Sequence, residues 1–315
     1  MNKKNILTYT PIVILLAAFC CLLWGSAFPC IKIGYRLWNI GASDRAAQIL
    51  FAGMRFFLAG ILTVIFGSLL SKKKLLPKKS SFPKIALLSL FQTILQYIFF
   101  YLGLAHTSGT KSSVITASNV FLAILVSAYV FRTEKMTLKK IVGTLIGFSG
   151  VILINAFDGG FSGGAHLTGE GFIFLSALSY AFSASLTKRF SKTENTVMLS
   201  GWQFIFGGAF MTAFSLFSGA KLSGTDIYGC IILIYLAFVS AAAFSIWGLL
   251  LKHNHVSRIS VFGFMNPVFG VILSALLLNE VKEYTLWQIA LSLLLVIIGI
   301  ITVNISSDKK EGNAF

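Results

Sequence analysis

One charged side chain, Arg55, lies well inside an apolar stretch of this sequence. It falls about six residues from one end of the run 49–70, which is about 9 Å at 1.5 Å per residue. A guanidinium in hydrocarbon is costly, so Arg55 should face a bundle interior or a watery cavity. Its planar fork suits a carboxylate or a phosphate, which indicates contact with the anionic group of a ligand. The alternative is that Arg55 binds helix carbonyls or orients its helix, since Gln203, at the matching place later in the chain, is neutral.

Tryptophan and tyrosine side chains, which combine an aromatic ring with a polar N–H or O–H group, are the next candidates for ligand contact. Gln203 is also a predicted ligand-binding residue. The aromatic candidates come from five different apolar runs and are Trp24, Tyr101, Tyr180, Trp202 and Trp247. Such side chains can line an amphipathic cavity and hold an apolar or cationic group by packing and cation–π contact. Trp24 is favoured because it lies in the middle of its run beside Gly25 and Ser26, and Ser26 joins the predicted site. The alternative is an ordinary aromatic belt at a membrane interface.

Two asparagines, Asn119 and Asn266, occupy matching positions in two of the runs, and Asn266 directly precedes Pro267. Proline removes a backbone donor and frees a carbonyl one turn earlier. An asparagine at such a point either satisfies the freed backbone or presents its amide to a solute. Both asparagines are therefore predicted site residues, with a structural role as the alternative.

Glycine close to proline within two of the runs predicts points of bending. Pro29 follows Gly25 by one turn, and Gly270 follows Pro267 by three residues. A helix is interrupted where proline lacks its N–H, and nearby glycine adds conformational freedom. These four residues are the predicted hinges.

Carboxylates are missing from the middle of every apolar run, which limits the chemistry of ion coupling. Glu170 stands at the edge of a run, and Glu134 and Glu280 follow runs. A buried carboxylate relay for protons is therefore not predicted. Any proton coupling would have to use these three glutamates, which lie at or beyond the ends of the apolar runs. The alternative for Glu134 and Glu280 is that they end helices and meet Lys135 and Lys282.

The elements that carry these residues are predicted to be ten membrane-spanning helices. Of 315 residues, 56% are hydrophobic and only 11% are charged. A span needs about 20 apolar residues, and lipid excludes open sheets, so the fold class is an all-α integral membrane protein. The predicted spans, one to ten, are 11–33, 49–70, 84–106, 112–131, 138–156, 171–190, 197–218, 227–251, 258–279 and 285–305.

The second half of the chain repeats the first, five spans matched by five in the same order. Segments 22–32, 53–66, 113–128 and 145–155 overlay 178–188, 201–214, 260–275 and 294–304. The rarer identities carry most weight, and they are Lys32/Lys188, Gly53/Gly201, Gly60/Gly208, Asn119/Asn266, Gly150/Gly299 and Asn155/Asn304. An odd number of spans per repeat forces the two halves, 1–156 and 157–315, into opposite orientations across a membrane. That inverted arrangement is typical of transporters with a solute site between the repeats.

Basic residues other than Arg55 are distributed unequally between the two sides. Of 26 lysines and arginines, 19 lie at the termini, in the connections after even-numbered spans or at the span ends beside those connections, and 6 lie in or beside the connections after odd-numbered spans. By the positive-inside rule both termini are cytoplasmic, and the chain is a multi-pass protein of the cell membrane. The basic cluster 72–84 is then a topology anchor or, alternatively, a site for anionic lipid or a partner. The net charge of +16 does not indicate nucleic acid, because no base-reading module accompanies it.

Catalytic and metal-binding patterns are not found in the sequence. The four histidines lie in loops or at span ends, and there is no serine elbow, phosphate loop or zinc-protease motif. The four cysteines lie in apolar spans without metal-ligand spacing or a disulfide framework. No enzyme, cofactor or metal is predicted. The alternatives to a transporter are a multi-span membrane enzyme and a non-transporting scaffold.

Small residues in the fifth span indicate close helix packing. Gly143 and Gly147 are four residues apart, with Gly150 following. This spacing lets helix backbones approach each other within one chain, or alternatively between the two chains of a homodimer.

The first span resembles that of the drug/metabolite transporter superfamily, in particular its bacterial EamA family, over residues 22–32 (LLWGSAFPCIK). Arg55, the pair Asn266-Pro267, the two glutamates after spans four and nine, and residues 169–181 agree in position, so the resemblance extends from about 11 to 305. It implies a ten-helix exporter of small metabolites, and the two inverted repeats predict that it works by alternating access. It also implies that spans 1–4 and 6–9 line a central cavity, with spans 5 and 10 outside. The buried cation and the aromatics favour an amphipathic amino acid or a similar organic anion as substrate.

Overall fold

The chain forms ten helical segments and no strand within the residues that the computed structural model describes, which are 6–41, 43–104, 106, 109–156, 167–222, 227–278 and 286–311. In chain order the segments are α1 (Thr10–Leu37), α2 (Arg45–Ser71), α3 (82–104), α4 (109–130), α5 (Leu138–Ala156), α6 (167–190), α7 (Thr196–Phe217), α8 (Ile227–His253), α9 (256–278) and α10 (Leu286–Glu311). Short 3-10 helices at Ile6–Thr8 and Lys79–Ser81 precede α1 and α3.

Four of the segments change their helical pitch along their length. α3 contains a π-helical stretch at Leu90–Leu95, α4 ends in one at Val126–Val130, and α6 begins with one at Leu167–Gly171. α9 instead contains a 3-10 turn at Val261–Phe264. Pro267 lies three residues after this turn and has no N–H to donate to the carbonyl of Gly263, so the pitch changes where an α-helical hydrogen bond is lost.

The outer surface of the bundle is apolar. By length and composition alone, α1, α2, α3 (with the turn before it), α7 and α8 can each cross a membrane, and α4 and α10 contain shorter apolar stretches at Ile115–Val130 and Ala290–Asn304. On α7, Phe206, Phe210 and Phe214 are 42%, 52% and 47% exposed at a spacing of four residues. Such a stripe of exposed phenylalanine is what a lipid-facing helix presents. The exterior is that of a multi-pass membrane protein, while the full number of ten spans stays a prediction.

Helix packing follows the two-fold pattern of the repeat. The two most extensive contacts, α2 with α7 and α5 with α10, each join a helix to its own repeat mate. α1 packs on α8 and α9, and its mate α6 packs on α3 and α4, which are the mates of α8 and α9. Each main contact of the first half therefore has an equivalent in the second half.

The α2–α7 pair shows that mate helices run antiparallel. Their backbones approach at glycines: a Cβ on Gly53 would lie 3.1 Å from the Gly208 carbonyl oxygen, and one on Gly60 would lie 2.6 Å from the Gly201 carbonyl oxygen. The later residue of α2 meets the earlier residue of α7, so the two helices have opposite directions. Since Gly53/Gly201 and Gly60/Gly208 are repeat mates, the two contacts are equivalent by the pseudo-two-fold.

The α5–α10 pair repeats this geometry at the edge of the bundle. A Cβ on Gly143 would lie 2.9 Å from the Gly299 carbonyl oxygen, and Ser292 Oγ donates to the Gly150 carbonyl at 2.5 Å. The close packing predicted for this face of α5 is therefore made with α10 of the same chain. A homodimer stays a prediction.

Candidate functional site

Arg55 on α2 is buried against α8, with 3% of its surface exposed. Its Nε donates to Ser240 Oγ at 3.0 Å and to the Leu236 carbonyl at 3.3 Å, and its guanidinium carbon lies 5.1 Å from the centre of the Phe56 ring. Among the described residues, no carboxylate pairs with Arg55 and no acceptor receives its two Nη groups. The described surroundings of the cation are therefore dipoles and a ring, and its two Nη groups keep N–H donors without a protein acceptor.

Gln203 on α7, the repeat mate of Arg55, has an equivalent setting against α3. It is fully buried, and its Oε1 accepts from Thr93 Oγ1 at 2.7 Å. Its Nε2 has no partner among the residues that the structure describes. We call the Arg55 guanidinium and the Gln203 amide the two polar heads. Thr93 lies 147 residues before Ser240, so the hydroxyls that bind the two polar heads are themselves repeat mates. In both halves a hydroxyl holds the polar head and leaves N–H donors without a protein acceptor.

A symmetric column of aromatic rings lies beside these two polar heads. Phe56 and Phe204, the next residues along α2 and α7, stack with their centres 5.2 Å apart. Phe56 contacts Tyr97 at 4.4 Å, and Phe204 contacts Phe244 at 5.0 Å. Tyr97 and Phe244 are also mates, 147 residues apart. The pseudo-two-fold axis therefore passes between Phe56 and Phe204.

Three predicted aromatics, Trp24, Tyr180 and Trp247, extend this column. Trp24 contacts Phe244 and Trp247 edge-on, each at 5.0 Å. The hydroxyl of Tyr180 is close enough to Trp247 and Tyr97 to interact with both electrostatically. Trp24 Nε1 has no acceptor in the described part of the chain. We call the following residues the central cluster: Trp24, Arg55, Phe56, Tyr97, Tyr180, Gln203, Phe204, Phe244 and Trp247.

Two other predicted residues, Tyr101 and Ser26, lie next to the central cluster. Tyr101 is 4% exposed, and the charge of Arg55 acts on its hydroxyl and on that of Tyr35. Ser26 Oγ donates to the Leu23 carbonyl at 2.7 Å and is 2.7 Å from the Tyr235 hydroxyl. Tyr101 therefore belongs to the polar surroundings of Arg55, whereas the Ser26 hydroxyl already has two protein partners.

Trp202 lies apart from the central cluster. Its Nε1 donates to the Leu75 carbonyl at 2.8 Å, in the connection between α2 and α3. Its ring packs on a separate apolar cluster that includes Leu75 and Met198. The structure therefore gives this indole a structural partner and does not bring it to the other predicted site residues.

Asn119 and Asn266 lie on α4 and α9, where these helices approach each other. A Cβ on Gly263 would lie 3.2 Å from Val120 and 3.9 Å from Asn119 Oδ1. Asn266 Oδ1 is buried and has no partner among the described residues. A buried amide oxygen without a partner is costly, which favours a binding role over a structural one for Asn266.

The predicted hinge residues lie at or near the crossing of α1 and α9. A Cβ on Gly25 would lie 2.6 Å from Phe269 Cβ and 3.0 Å from the Gly270 nitrogen. α1 continues past Pro29 without a break, whereas the pitch of α9 changes just before Pro267. The glycine contact explains the close approach of the two helices, and bending at these four residues stays a prediction.

Glu134 joins the end of α4 to the start of α9. Its carboxylate, 3% exposed, accepts from Lys140 Nζ at 2.5 Å, from Ser127 Oγ at 2.5 Å, and from both the backbone N–H and the hydroxyl of Ser257. Burial raises the pKa of this carboxyl, but Lys140 and the hydrogen bonds outweigh it and hold the pKa below its ordinary value. The lysine that pairs with Glu134 is Lys140 rather than the expected Lys135, because α5 returns over the carboxylate. We call Glu134, Ser127, Lys140 and Ser257 the carboxylate latch.

Sequence reasoning missed the groups that hold the polar heads. Thr93 and Ser240 match at an offset of 147, and Phe56 and Phe204 match at 148, so the repeat itself contained the signal. No cluster of metal-ligating side chains occurs among the described residues. Glu280, the counterpart of Glu134, lies with Lys282 outside the described residues.

A transporter family and two proteins named as transporters match this chain in sequence. The sequence profile of the EamA-like transporter family matches residues 11–156 and again residues 167–305. The uncharacterized transporter YvbV of Bacillus subtilis is 25% identical over 303 residues, covering 95% of this chain and 94% of that protein. The uncharacterized inner membrane transporter YedA of Escherichia coli K12 is 25% identical over 286 residues, covering 88% of each chain. A protein crystal structure with 16% identity superposes with a TM-score of 0.76 over 95% of this chain and 98% of that one, which shows the shared fold.

Proposed function

Because the chain belongs to the EamA-like transporter family, we propose that it is a secondary transporter that exports small amphipathic metabolites such as amino acids or related organic anions. Arg55 carries the proposal. A buried guanidinium without a carboxylate partner costs the ligand-free fold stability, and an anionic ligand that binds to it offsets that cost. The relatives are named as transporters without a stated substrate, so they support transport in general rather than a particular solute.

The central cluster supports an organic anion with an apolar part. The free edge of Arg55 suits a carboxylate, which it can bind through two parallel charge-assisted hydrogen bonds. Trp24, Phe244 and Trp247 offer ring faces and edges to the apolar part of the same molecule. No acidic side chain of the described chain accompanies these groups, which disfavours a substrate that is only cationic.

We propose alternating access as the mechanism, with the two repeats rocking about the central cluster. The carboxylate latch ties α4 to α9, which are repeat mates, at one end of the bundle. The positive-inside rule puts this end in the cytoplasm, so the described conformation is closed on the cytoplasmic side. Opening inward then requires Glu134 to separate from Ser257, with Gly25 and Gly270 at the fulcrum.

A comparison of metabolite pools tests the proposal. Bacteria with and without the overexpressed protein are compared by mass spectrometry of cells and medium, and any solute that moves outward is then tested with purified protein in proteoliposomes. Saturable flux of an intact carboxylate-containing solute is the expected result. A chemically altered metabolite without flux would indicate a membrane enzyme, and neither change would indicate a scaffold.

A further inference from the structure

We infer that Ser240 is a positioning residue that orients Arg55 so that its Nη1–Nη2 edge receives a carboxylate end-on. The inference rests on the proposed function, because it requires Arg55 to bind the anionic group of the solute.

The hydrogen bonds around Ser240 fix the direction of the guanidinium. Ser240 is fully buried, and its hydroxyl donates its single hydrogen to the Leu236 carbonyl at 3.1 Å. The oxygen is then left as an acceptor, and Arg55 Nε donates to it at 3.0 Å. Since the guanidinium is planar and rigid, holding Nε on α8 also sets the direction of both Nη groups. The Phe56 ring, 5.1 Å from the guanidinium carbon, lies against the group as well.

This arrangement leaves one mode of carboxylate recognition. A carboxylate can bind a guanidinium side-on, through Nε and one Nη, or end-on, through both Nη groups. The side-on mode is blocked in this structure because Nε is shared between Ser240 Oγ and the Leu236 carbonyl. End-on binding needs two acceptor atoms in one plane. A carboxylate supplies two, whereas the amide of the same size turns an N–H donor toward the fork.

The other half of the molecule provides an internal reference for Ser240. Thr93 stands at the equivalent position, but its hydroxyl donates to Gln203 Oε1. A hydroxyl suits both halves because it can donate to an amide oxygen or accept from a guanidinium. With alanine at position 240, Nε would keep only the Leu236 carbonyl, its longer contact at 3.3 Å.

The test compares two probes of equal shape and different charge. Purified full-length protein is equilibrated by dialysis with radiolabelled phenylacetate or phenylacetamide. We expect the wild type to bind phenylacetate at least about tenfold more tightly, since a site built for one hydrogen-bonding pattern strongly rejects its mismatch. Ser240→Ala should reduce this preference to about twofold, and Ser240→Thr should restore it. Arg55→Gln should abolish it.

Thr63→Val is the matched control. Thr63 is also a buried hydroxyl on a helix, but it donates to the Ala59 carbonyl at 2.8 Å and has no hydrogen bond to a charged group in the part of the chain that the structure describes. Thr63→Val should leave the preference unchanged. The inference is overturned if the wild type binds neither probe or both equally, if Ser240→Ala keeps the wild-type preference, or if Ser240→Ala weakens both probes by the same factor. Dialysis measures binding rather than flux, so a protein that binds as expected but transports nothing contradicts the proposed function alone.

Discussion

The two halves of the central cluster share one scaffold but differ in charge. On one side Arg55 donates to Ser240, and on the other side Gln203 accepts from Thr93. The rings between them are nearly symmetric about the stacked Phe56 and Phe204. Since the helices, the hydroxyls and the rings are equivalent, the cation is a local departure from symmetry rather than a requirement of the fold. That departure identifies the side of the site that we assign to an anionic group.

A second cation at position 203, the repeat mate of Arg55, should have the largest effect on stability of the changes considered. Gln203→Arg would bury another guanidinium without a carboxylate, at a position with no exposed surface. We expect a loss of about 3–5 kcal/mol of unfolding free energy, seen as a much lower melting temperature in detergent. Gln203→Met, of similar size and uncharged, is the control and should be far milder. Equal melting of Gln203→Arg and wild type would contradict the predicted cost of burying a second cation without a carboxylate in the central cluster.

The symmetric helix contact beneath the cluster can be tested at its glycines. A Cβ on Gly208 would lie 2.3 Å from the Phe57 nitrogen and 2.8 Å from the Gly53 carbonyl oxygen. Gly208→Ala should therefore cost about 2–3 kcal/mol by overpacking, measured by thermal unfolding. Gly41, which has no atom of the described residues within 4 Å of such a Cβ, gives the control Gly41→Ala with little change. A neutral Gly208→Ala would show that the α2–α7 contact is looser than described.

The carboxylate latch should give the protein a pH dependence at its α4–α9 end. The pKa of Glu134 is lowered from 4.5 in the folded state. Its stabilisation is then complete above this ordinary value and is lost as the pH falls through the lower folded-state pKa. Glu134→Gln should cost about 2 kcal/mol at neutral pH and flatten the dependence of melting temperature on acidic pH. An unchanged acid slope would mean that the latch is open in solution.

Making the two sides alike should stabilise the protein slightly. Arg55→Gln removes a buried cation and installs the residue that the mate position carries, so we expect a gain of about 1 kcal/mol in thermal unfolding without solute. The sign of this change in unfolding free energy distinguishes a ligand-binding role of Arg55 from a packing role. A loss of similar size would instead make Arg55 a packing element that orients α2.

The repeat in the sequence predicted the architecture better than it predicted the site. Matched glycines such as Gly53 and Gly201 indicated paired helices, because small residues are needed wherever backbones approach. The position of Trp202 could not be read in this way, since a span of this length places aromatics at its ends as readily as at its centre. Ser240 was missed because a serine inside an apolar span has many structural uses. Only the contact with Arg55 distinguishes it.

Flux of a carboxylate-containing solute through wild-type and Arg55→Gln proteoliposomes tests the central claim most directly. Vesicles are loaded with a bacterial metabolite extract, and the efflux of anionic and neutral solutes is followed by mass spectrometry at equal protein content. Loss of two charge-assisted hydrogen bonds should lower the efflux of the anionic solute by about 30-fold or more. The efflux of neutral solutes should stay unchanged. Efflux at the wild-type rate from folded Arg55→Gln protein would contradict the account.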